Sequence, residues 1–226
     1  MAGPDDIKTT LNKSFPDLKI ERITKAGYGD MYEIFAGGDI FYTDEKGTYL
    51  LLGKLIDLKT RQNITDNRLQ KLTAIKFDDL PLDQAIKLTR GNGARRLAIF
   101  EDPNCGYCKR FEQDLNSLDN ITAYIFPYAI LSPDSGEKAK AIWCSTDRLK
   151  AWQDLMLRGK APATAVASCE APVEKIRELG QRLRVNGTPL TFFENGERVS
   201  GAIPKEQIEA KLVEVAAASP AKSAAK

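Results

Sequence analysis

The feature that most constrains this chain is a pair of cysteines, Cys105 and Cys108, three positions apart and close behind a short apolar run. That run, Leu97–Phe100, predicts a strand buried on both faces. Lys109–Leu118 has the apolar spacing of a helix, and Ile121–Tyr128 predicts a second strand. A strand, a helix and a strand in this order predict a βαβ unit with parallel strands and the cysteines at the first junction.

The position of the pair predicts redox chemistry. A C-x-x-C motif in a βαβ unit is typical of a thioredoxin-like redox site. If the helix begins near Cys105, free backbone N–H groups and the positive end of the helix dipole stabilise a thiolate there. Cys108 lies one turn further along and is expected to be less accessible. We therefore predict that Cys105 attacks and Cys108 resolves, with Gly106 leaving the approach open and Tyr107 forming an apolar rim.

Zinc binding and two inert buried cysteines are the alternatives. The chain has no histidine, which removes Cys-His nucleophilic sites and the commonest metal ligand. A structural zinc site needs four ligands, whereas the other two cysteines, Cys144 and Cys169, are far apart in the sequence. These two either form a disulfide, which persists only in an oxidising compartment, or remain reduced.

Thr188-Pro189 directly precedes a second apolar strand-like segment. Proline fits only at the start, an edge or a bulge of a strand, so an ordinary trans proline at a strand start is one interpretation. Thioredoxin-like proteins carry a cis proline at this point, facing the reactive cysteine. With the C-x-x-C upstream we predict a cis bond, with the backbone of Thr188 free to pair with a substrate chain.

The N-terminal part reads as a short helix followed by a small antiparallel meander. The strand-like segments are Leu18–Thr24, Met31–Ala36, Ile40–Thr43 and Tyr49–Leu58. The last is apolar on both faces, so it is either a central core strand or a strand at a subunit interface, with Gly53 at a bulge or close approach. Thr65-Asp66-Asn67 predicts the start of a helix running to about Phe77, either connecting two regions or packed on one of them.

The C-terminal part adds helices, a hairpin and a tail. The predicted elements are helices over Ser135–Arg158 and Val173–Leu183, a hairpin of Leu190–Glu194 and Glu197–Gly201, and a final helix carrying Ile208, Leu212 and Val215. Asn195-Gly196 between the hairpin strands is typical of a type I′ turn.

Composition excludes several function classes. The chain has 226 residues, 42% of them apolar, and a formal charge of +2. This charge gives no field that would draw the protein to nucleic acid or anionic lipid. No apolar run is long enough to cross a bilayer.

At its specific motifs the chain resembles the DsbC/DsbG family of bacterial periplasmic thiol:disulfide isomerases. The matching segments are Phe100–Phe111 with Cys105-Gly106-Tyr107-Cys108, then Ala141–Cys144, Ala167–Cys169 and Gly187–Pro189. The likeness is looser in the N-terminal part, where Tyr49–Leu58 resembles the dimer-forming strands of the family.

The resemblance implies an α+β fold. It would have a cystatin-like dimerisation domain at 1–64, a linker helix at 65–78, a thioredoxin-like catalytic domain with a helical insertion at 79–217, and a disordered tail at 218–226. The protein would be a homodimer joined through Leu51, Leu52, Gly53 and Leu55, with two redox sites facing a shared apolar cleft.

The resemblance also implies a function. The protein would isomerise, and could reduce, incorrect disulfides in misfolded exported client proteins, and it would have chaperone activity. A membrane reductant of the DsbD type would keep the pair reduced, and Cys144 and Cys169 would form a structural disulfide. No cofactor, metal or nucleic acid would take part. The location would be the periplasm, after removal of a signal peptide.

Two positions distinguish this chain within the family. Lys109 stands where the best-known members have histidine, and Gly106 stands where the DsbG group usually has proline, which favours the isomerase. The alternatives are a DsbG-like chaperone or reductase, and a monomeric thioredoxin-like oxidoreductase.

Overall fold

A computed structural model describes residues 3–164 and 168–218 of the chain, which divides into two compact units, Met1–Thr73 and Ala74–Lys226. Each unit has its own sheet and its own apolar core. The fold is α+β, as predicted. No helix in these ranges is long and apolar enough to span a membrane.

The first unit is a four-stranded antiparallel sheet with helices on it. Its elements are α1 (Pro4–Ser14), β1 (Ile20–Lys25), β2 (Met31–Ala36), β3 (Asp39–Asp44), β4 (Leu50–Leu51) and α2 (Ile64–Thr73), with the strands in the order β1-β2-β3-β4. Because side chains alternate along β2, the sheet buries one apolar set on each face. Ile34 packs with Ile7 and Leu11 of α1, and Phe35 packs with Leu69 and Leu72 of α2.

The prediction of a strand over Tyr49–Leu58 is wrong for most of this segment. Only Leu50 and Leu51 pair with β3, and Gly53 lies in a bend where the chain leaves the sheet. A single further bridge joins Ile56 to Asn63. The apolar side chains in this segment are mostly exposed, so the interpretation as a central core strand is also wrong.

Helix α2 begins and ends earlier than the sequence predicted. Its cap is Asn63, whose side chain accepts a hydrogen bond from the N–H of Asp66 (3.0 Å), whereas Thr65 is buried inside the first turn. The helix ends at Thr73, before the predicted end near Phe77. Ile75 cannot extend it, because its N–H donates to the carbonyl of Gly196 (3.2 Å).

The second unit is a five-stranded mixed sheet. Its strands are β5 (Ile86–Arg90), β6 (Arg95–Glu101), β7 (Ile121–Pro127), β8 (Leu190–Phe193) and β9 (Arg198–Ser200), in the order β5-β7-β6-β8-β9. β6 and β7 are parallel and are joined by helix α3 (Gly106–Leu115), which confirms the predicted βαβ unit. β5, which the sequence analysis did not predict, pairs antiparallel with β7.

Helices cover both faces of this sheet. Three lie between β7 and β8 as the helical insertion, namely α4 (Pro133–Trp143), α5 (Arg148–Arg158) and α6 (Val173–Arg182), and α7 (Lys205–Ala218) ends the described chain. Leu97 and Ile99 of β6 face the core formed with α3, α5 and α7, while Ala98 and Phe100 face the core formed with α6. Residues 219–226 of the predicted disordered tail lie outside the described residues.

The hairpin between β8 and β9 is confirmed, but its predicted type I′ turn is wrong. Three residues, 194–196, form the loop, and the N–H of Gly196 closes the turn onto the carbonyl of Phe193 (2.8 Å). Gly196 has a positive φ of 85°, whereas Asn195 is not among the positive-φ residues. This is the three-residue hairpin, a turn followed by a left-handed glycine. A Cβ at Gly196 would lie 1.8 Å from the carbonyl oxygen of Ile75.

Candidate functional site

Cys105 is the N-cap residue of helix α3. Its extended backbone (φ −75°, ψ 117°) ends the turn after β6, and its Sγ accepts a hydrogen bond from the N–H of Cys108 (3.3 Å). The sulfur therefore occupies the place where serine or aspartate oxygens normally cap a helix. The sulfur lies at the end of the helix where backbone N–H groups have no partner within the helix.

The two thiols have different surroundings. Cys105 is 5% exposed and Cys108 is fully buried, and both are free thiols. Burial is the main cause that raises the pKa of the Cys108 thiol far above its ordinary value, followed by the negative charge of Glu101 and the hydrogen bond to Cys105. Cys108 is therefore held as a thiol at neutral pH, and Cys105 is the slightly more exposed of the two residues.

Thr188 lies directly against Cys105. The Cys105 thiol donates to the backbone carbonyl of Thr188 (3.4 Å), and the peptide bond between Thr188 and Pro189 is cis, as predicted. The strand that follows, β8, pairs with β6. The sheet therefore brings two segments that are distant in the sequence to the same sulfur.

The residues between the two cysteines form the exposed side of the site. Gly106 is exposed, and a Cβ there would meet no atom within 4 Å. Tyr107 is 67% exposed, and the guanidinium of Arg110 lies 6.0 Å from its ring centre. The structure thus leaves open space above Gly106 and an exposed ring beside it.

A buried carboxylate, Asp102, holds the turn that carries Cys105. Its Oδ1 accepts from the N–H of Asn104 (2.8 Å) and from the hydroxyl of Ser135 (2.7 Å). Its Oδ2 accepts from the N–H groups of Ile130 (2.8 Å) and Leu131 (2.9 Å). These four bonds compensate for burying the charge and tie the cysteine turn to the loop after β7.

A second buried acidic group lies beneath the cysteines. Glu101, the last residue of β6, and Glu112 of α3 are 0% and 1% exposed. The indole N–H of Trp152 donates to Glu112 Oε1 (2.5 Å). Burial, followed by the charge of Glu112 and the hydrogen bond to it, raises the pKa of Glu101 well above its usual range. Burial also raises the pKa of Glu112, opposed by hydrogen bonds from Glu101 and Trp152 and by the charge of Arg90.

None of these three acidic residues was predicted as part of the site, although a signal for two of them was present in the sequence. Glu112 falls on the stripe of α3 that carries Cys108 and Leu115, at the i, i+4 and i, i+7 positions of one helix face. Glu101 follows directly on a run predicted to be buried. Charged residues on a predicted core face are unusual enough to be candidates.

Cys144 and Cys169 form a disulfide in the helical insertion, with a Cα–Cα distance of 5.9 Å. Cys144 ends helix α4, and Cys169 lies in the segment before α6. Neither sulfur belongs to the Cys105 site. Ala167, quoted above with this motif, lies outside the described residues.

The predicted dimer-interface residues lie in the first unit. Leu51 is 54% and Leu52 is 70% exposed, and Gly53 is exposed as well. Leu55 is half-buried and packs against Phe35, Ile40 and Tyr42 of its own unit. Apart from Leu55, the segment therefore presents apolar side chains to solvent.

The family model described as "Thioredoxin-like domain" matches residues 82–216, and the model described as "Disulfide bond isomerase protein N-terminal domain" matches residues 1–66. Together they match the two units that the structure shows.

Individual relatives agree with these models. The chain is 47% identical, over 92% of its length and 74% of the relative, to the "Probable thiol:disulfide interchange protein DsbC" of Bordetella parapertussis. It is 30% identical to the "Thiol:disulfide interchange protein DsbC" of Escherichia coli K12, over 94% of this chain and 89% of the relative. A crystal structure of a disulfide interchange protein from Neisseria gonorrhoeae is 40% identical, with a TM-score of 0.57, and the match covers 60% of this chain and 97% of that one. This chain belongs to the DsbC family of thiol:disulfide interchange proteins.

Proposed function

We propose that this protein isomerises, and can reduce, incorrect disulfides in client proteins, with Cys105 as the attacking thiol and Cys108 as the resolving thiol. The observation that carries the proposal is the asymmetry of the pair at the start of α3. Cys105 is the N-cap of the helix and the more exposed residue of the pair, and Cys108 is fully buried in a setting that opposes its ionisation.

The reaction follows from that asymmetry. The Cys105 thiolate attacks one sulfur of a client disulfide, a mixed disulfide forms, and the other client sulfur leaves as a thiolate. A second client thiolate then attacks the client sulfur of the mixed disulfide and releases Cys105, so that a new client disulfide forms with no net redox change. If this fails, Cys108 loses its proton and attacks Cys105 Sγ, which leaves the enzyme oxidised and the client reduced.

Several exposed groups are placed to hold the client chain during these steps. Thr188 lies against Cys105, and Tyr107, two residues beyond Cys105, has an exposed ring. Ile130 and Leu131 are 38% and 56% exposed, and Asp102 ties their backbone to the cysteine turn. A client segment with apolar side chains can therefore bind at the site through backbone pairing and apolar contact.

The test is the recovery of activity from scrambled ribonuclease. Wild-type protein with a small amount of reduced thiol should restore activity, and Cys105→Ser should abolish the recovery. Cys108→Ser should retain part of the isomerisation and lose net reduction, because only the resolving step is removed. The matched control is Ser117→Ala, which changes a hydroxyl outside the site. Equal recovery with the wild type and with Cys105→Ser would refute the assignment.

We propose that the protein is a homodimer joined through the segment containing Leu51, Leu52, Gly53 and Leu55. The support is the exposure of Leu51 and Leu52. Leu51 ends the two-residue strand β4, and the residues that follow it leave the sheet. An exposed apolar segment of this kind is typical of an interface. Light scattering should give twice the mass of 25.0 kDa for the wild type and one mass for Leu51→Asp/Leu52→Asp. A wild-type monomer would favour the thioredoxin-like oxidoreductase instead.

A DsbG-like chaperone is a second candidate function, which the exposed apolar groups around the cysteines favour. Tyr107 and Leu131 are both more than half exposed and do not depend on the thiols for binding. Cys105→Ala should then suppress the aggregation of a client that lacks thiols as well as the wild type does. Full protection together with no isomerisation by the wild type would rank this function first.

We also propose that the protein works in the periplasm, where a membrane reductant of the DsbD type keeps its active pair reduced. The support is the combination of a disulfide at Cys144 and Cys169 with free thiols at Cys105 and Cys108. A disulfide persists in an oxidising compartment, where a reduced pair needs a source of electrons. Thiol counting on protein exported in cells with and without the reductant should give two free thiols in the first case and none in the second.

A further inference from the structure

The side chain of Asn104, the residue directly before the attacking cysteine, is held by the start of helix α4. Its amide nitrogen donates to the hydroxyl oxygens of Ser132 (3.1 Å) and Ser135 (3.0 Å). The carboxylate of Asp134 accepts from the same nitrogen at 2.9 Å. At the other end of the amide, Oδ1 accepts from the ammonium of Lys138 at 2.7 Å. None of these contacts has a part in the reaction as described above.

This anchor is separate from the one that Asp102 provides. Asp102 accepts from the backbone N–H of Asn104 and so holds the main chain of the turn. The Asn104 side chain instead joins the turn to α4, whose N-cap is Ser132. Ile130 and Leu131, the exposed apolar groups that are placed to hold the client, directly precede that cap. Asn104 therefore ties the turn of the attacking sulfur to the segment that contacts the client.

The groups on its two sides fix the Asn104 amide in one orientation. An ammonium only donates hydrogen bonds and a carboxylate only accepts them, so the amide oxygen faces Lys138 and the nitrogen faces Asp134. The hydroxyl of Ser135 donates its hydrogen to Asp102 Oδ1 (2.7 Å) and therefore accepts from Asn104. A flipped amide would place donor against donor at the lysine and acceptor against acceptor at the carboxylate.

The two ends of the amide differ in how many partners they have. The nitrogen has two hydrogens and three acceptors within reach, so the loss of one acceptor leaves two others. The oxygen accepts from Lys138 alone among the donors of the described residues. Lys138 is 27% exposed and is held by an ion pair with Asp134 at 2.6 Å. Hydrogen bonds from Lys138 and then from Asn104 hold the pKa of Asp134 below its ordinary value, so this carboxylate is charged at neutral pH.

We propose that Asn104 and Lys138 are positioning residues for the attack by Cys105: Lys138 fixes the Asn104 amide, and the amide fixes the turn that presents the sulfur. That sulfur lies 3.4 Å from the carbonyl oxygen of Thr188 and 3.3 Å from the backbone nitrogen of Cys108. Asn104 is joined to Cys105 by a peptide bond, so movement of the turn moves the sulfur away from both. The inference rests on the proposed function, because it concerns the attacking step of that reaction.

Loss of the Lys138 contact should slow the attack and leave its chemistry unchanged. Without the ammonium, the amide of Asn104 is no longer fixed at its oxygen, and the turn can take positions in which the sulfur lies away from Thr188. A misplacement of about 1 Å can cost a reaction roughly 100-fold in rate. Because Asp102 still holds the backbone of the turn, we expect a smaller loss of about three- to tenfold.

The experiment follows a single attack by Cys105 on a short apolar peptide whose cysteine carries a nitrothiobenzoate group. The Cys105 thiolate attacks the peptide sulfur, the bond from that sulfur to the nitrothiobenzoate breaks, and the nitrothiolate leaves with the electron pair. Every protein also carries Cys108→Ser, so the new disulfide to the peptide persists. Stopped-flow absorbance over a range of pH gives the midpoint of the rate profile and the plateau rate. No client disulfide has to rearrange, so ribonuclease recovery tests the proposed function separately.

A double-mutant cycle separates this contact from every other effect of the lysine. Lys138→Met removes the ammonium and keeps an apolar stem, and it should lower the plateau rate by about three- to tenfold. Asn104→Ala should lower the plateau rate at least as much. In the Asn104→Ala background, Lys138→Met should have no further effect, because the contact is already absent. The control Lys140→Met removes a cation two residues further along α4 and should leave the plateau rate unchanged.

Three results would overturn the proposal, each measured where urea unfolding shows the variant to be fully folded. An unchanged plateau rate in Lys138→Met would mean that the contact does not position Cys105. Equal losses from Lys138→Met in both backgrounds would mean that the lysine acts on the sulfur without Asn104. A shifted midpoint with an unchanged plateau would mean that the lysine affects ionisation and not position. If Asn104→Ala fails to fold, Asn104→Ser replaces it in the cycle, and the same results decide.

Discussion

Asp102 should be the residue on which the geometry of the redox site depends most. It is fully buried, it lies in the turn before Cys105, and it accepts four hydrogen bonds at 2.7–2.9 Å. Replacement by asparagine preserves the shape and one accepting oxygen. Replacement by alanine removes every acceptor.

The loss of stability in Asp102→Asn depends on which of the four hydrogen bonds the asparagine can still accept. In Asp102→Asn, the amide oxygen can still accept from the N–H groups of Ile130 and Leu131. The amide nitrogen then faces the N–H of Asn104, which loses its acceptor, while Ser135 can rotate to accept instead. Hydrogen bonds to a charged group contribute about 1.5–3 kcal/mol each, and an unsatisfied buried donor costs about 1–3 kcal/mol. We expect Asp102→Asn to lower the free energy of unfolding by about 3 kcal/mol, and Asp102→Ala by more.

Urea unfolding followed by tryptophan fluorescence measures the free energy of unfolding. The reaction of Cys105 with 5,5′-dithiobis(2-nitrobenzoate), which releases a nitrothiolate, reports on the geometry of the site. The release should slow in Asp102→Asn under conditions where the variant is fully folded, because the turn that presents the sulfur loses its anchor. The control is Asp134→Asn, which changes an exposed carboxylate that accepts from the side-chain amide of Asn104, and it should have a much smaller effect.

A double-mutant cycle with Ser135→Ala isolates one of the four bonds. The coupling between Asp102 and Ser135 should be favourable, because their oxygens are 2.7 Å apart and both are buried. A loss below about 1 kcal/mol in Asp102→Asn, or equal losses in the asparagine and alanine variants, would refute the reasoning, since it requires acceptors rather than volume.

Three further predictions concern the second unit. Cys144→Ala/Cys169→Ala should lower the free energy of unfolding by about 3.5 kcal/mol, from the loop closed over a separation of 25 residues, and a urea midpoint equal to that of the wild type would contradict this. Because the folded-state pKa of Glu101 is raised, the folded state holds its proton more tightly than the unfolded state, and this stability is complete at acid pH and is lost as pH rises towards the folded pKa. Glu101→Gln should therefore have a higher free energy of unfolding than the wild type at neutral pH, and this difference should vanish near pH 4. Urea unfolding that gave the same difference at both pH values would contradict the prediction. Gly180→Ala should cost about 1–3 kcal/mol, because its Cβ would lie 2.3 Å from the Tyr128 ring, and calorimetry showing an unchanged melting temperature would argue against so close a contact.

The catalytic part of the fold could be predicted because its signals are local. The apolar run before Cys105, the helical spacing after it and the strand at Ile121 each specify an element, and the parallel connection follows from their order. Thr188-Pro189 was predicted as cis because a C-x-x-C motif typical of thioredoxin-like proteins lies upstream of it, and Thr188 lies at Cys105. The spacing of apolar residues and the turn residues are therefore enough to predict these elements and their order without knowledge of the tertiary contacts.

The failures all depend on contacts between distant residues. The backbone of Ile75 approaches Gly196 closely enough to exclude a side chain there. The Asn-Gly dipeptide alone predicts a type I′ turn and contains no information about this distant contact. Tyr49–Leu58 has the composition of a strand, but beyond Leu51 it has no partner strand within its unit. A composition that favours β structure becomes a strand only when a neighbouring edge accepts its hydrogen bonds.

The positions of the buried acidic residues depend on strand alternation. These residues are ionisable groups buried near the two thiols in a chain that has no histidine. Strand alternation sends Phe100 into one core and Glu101 into the other, so the carboxyl beneath Cys108 is placed by backbone geometry alone. Asp102 follows where the strand ends, and its oxygens accept from one N–H of the turn and from two N–H groups of the loop after β7. Three consecutive residues thus form a packing contact, a buried acidic group near the resolving thiol and an anchor for the turn of the attacking thiol. These contacts to the redox pair therefore come from the end of β6 and from the turn that precedes the motif.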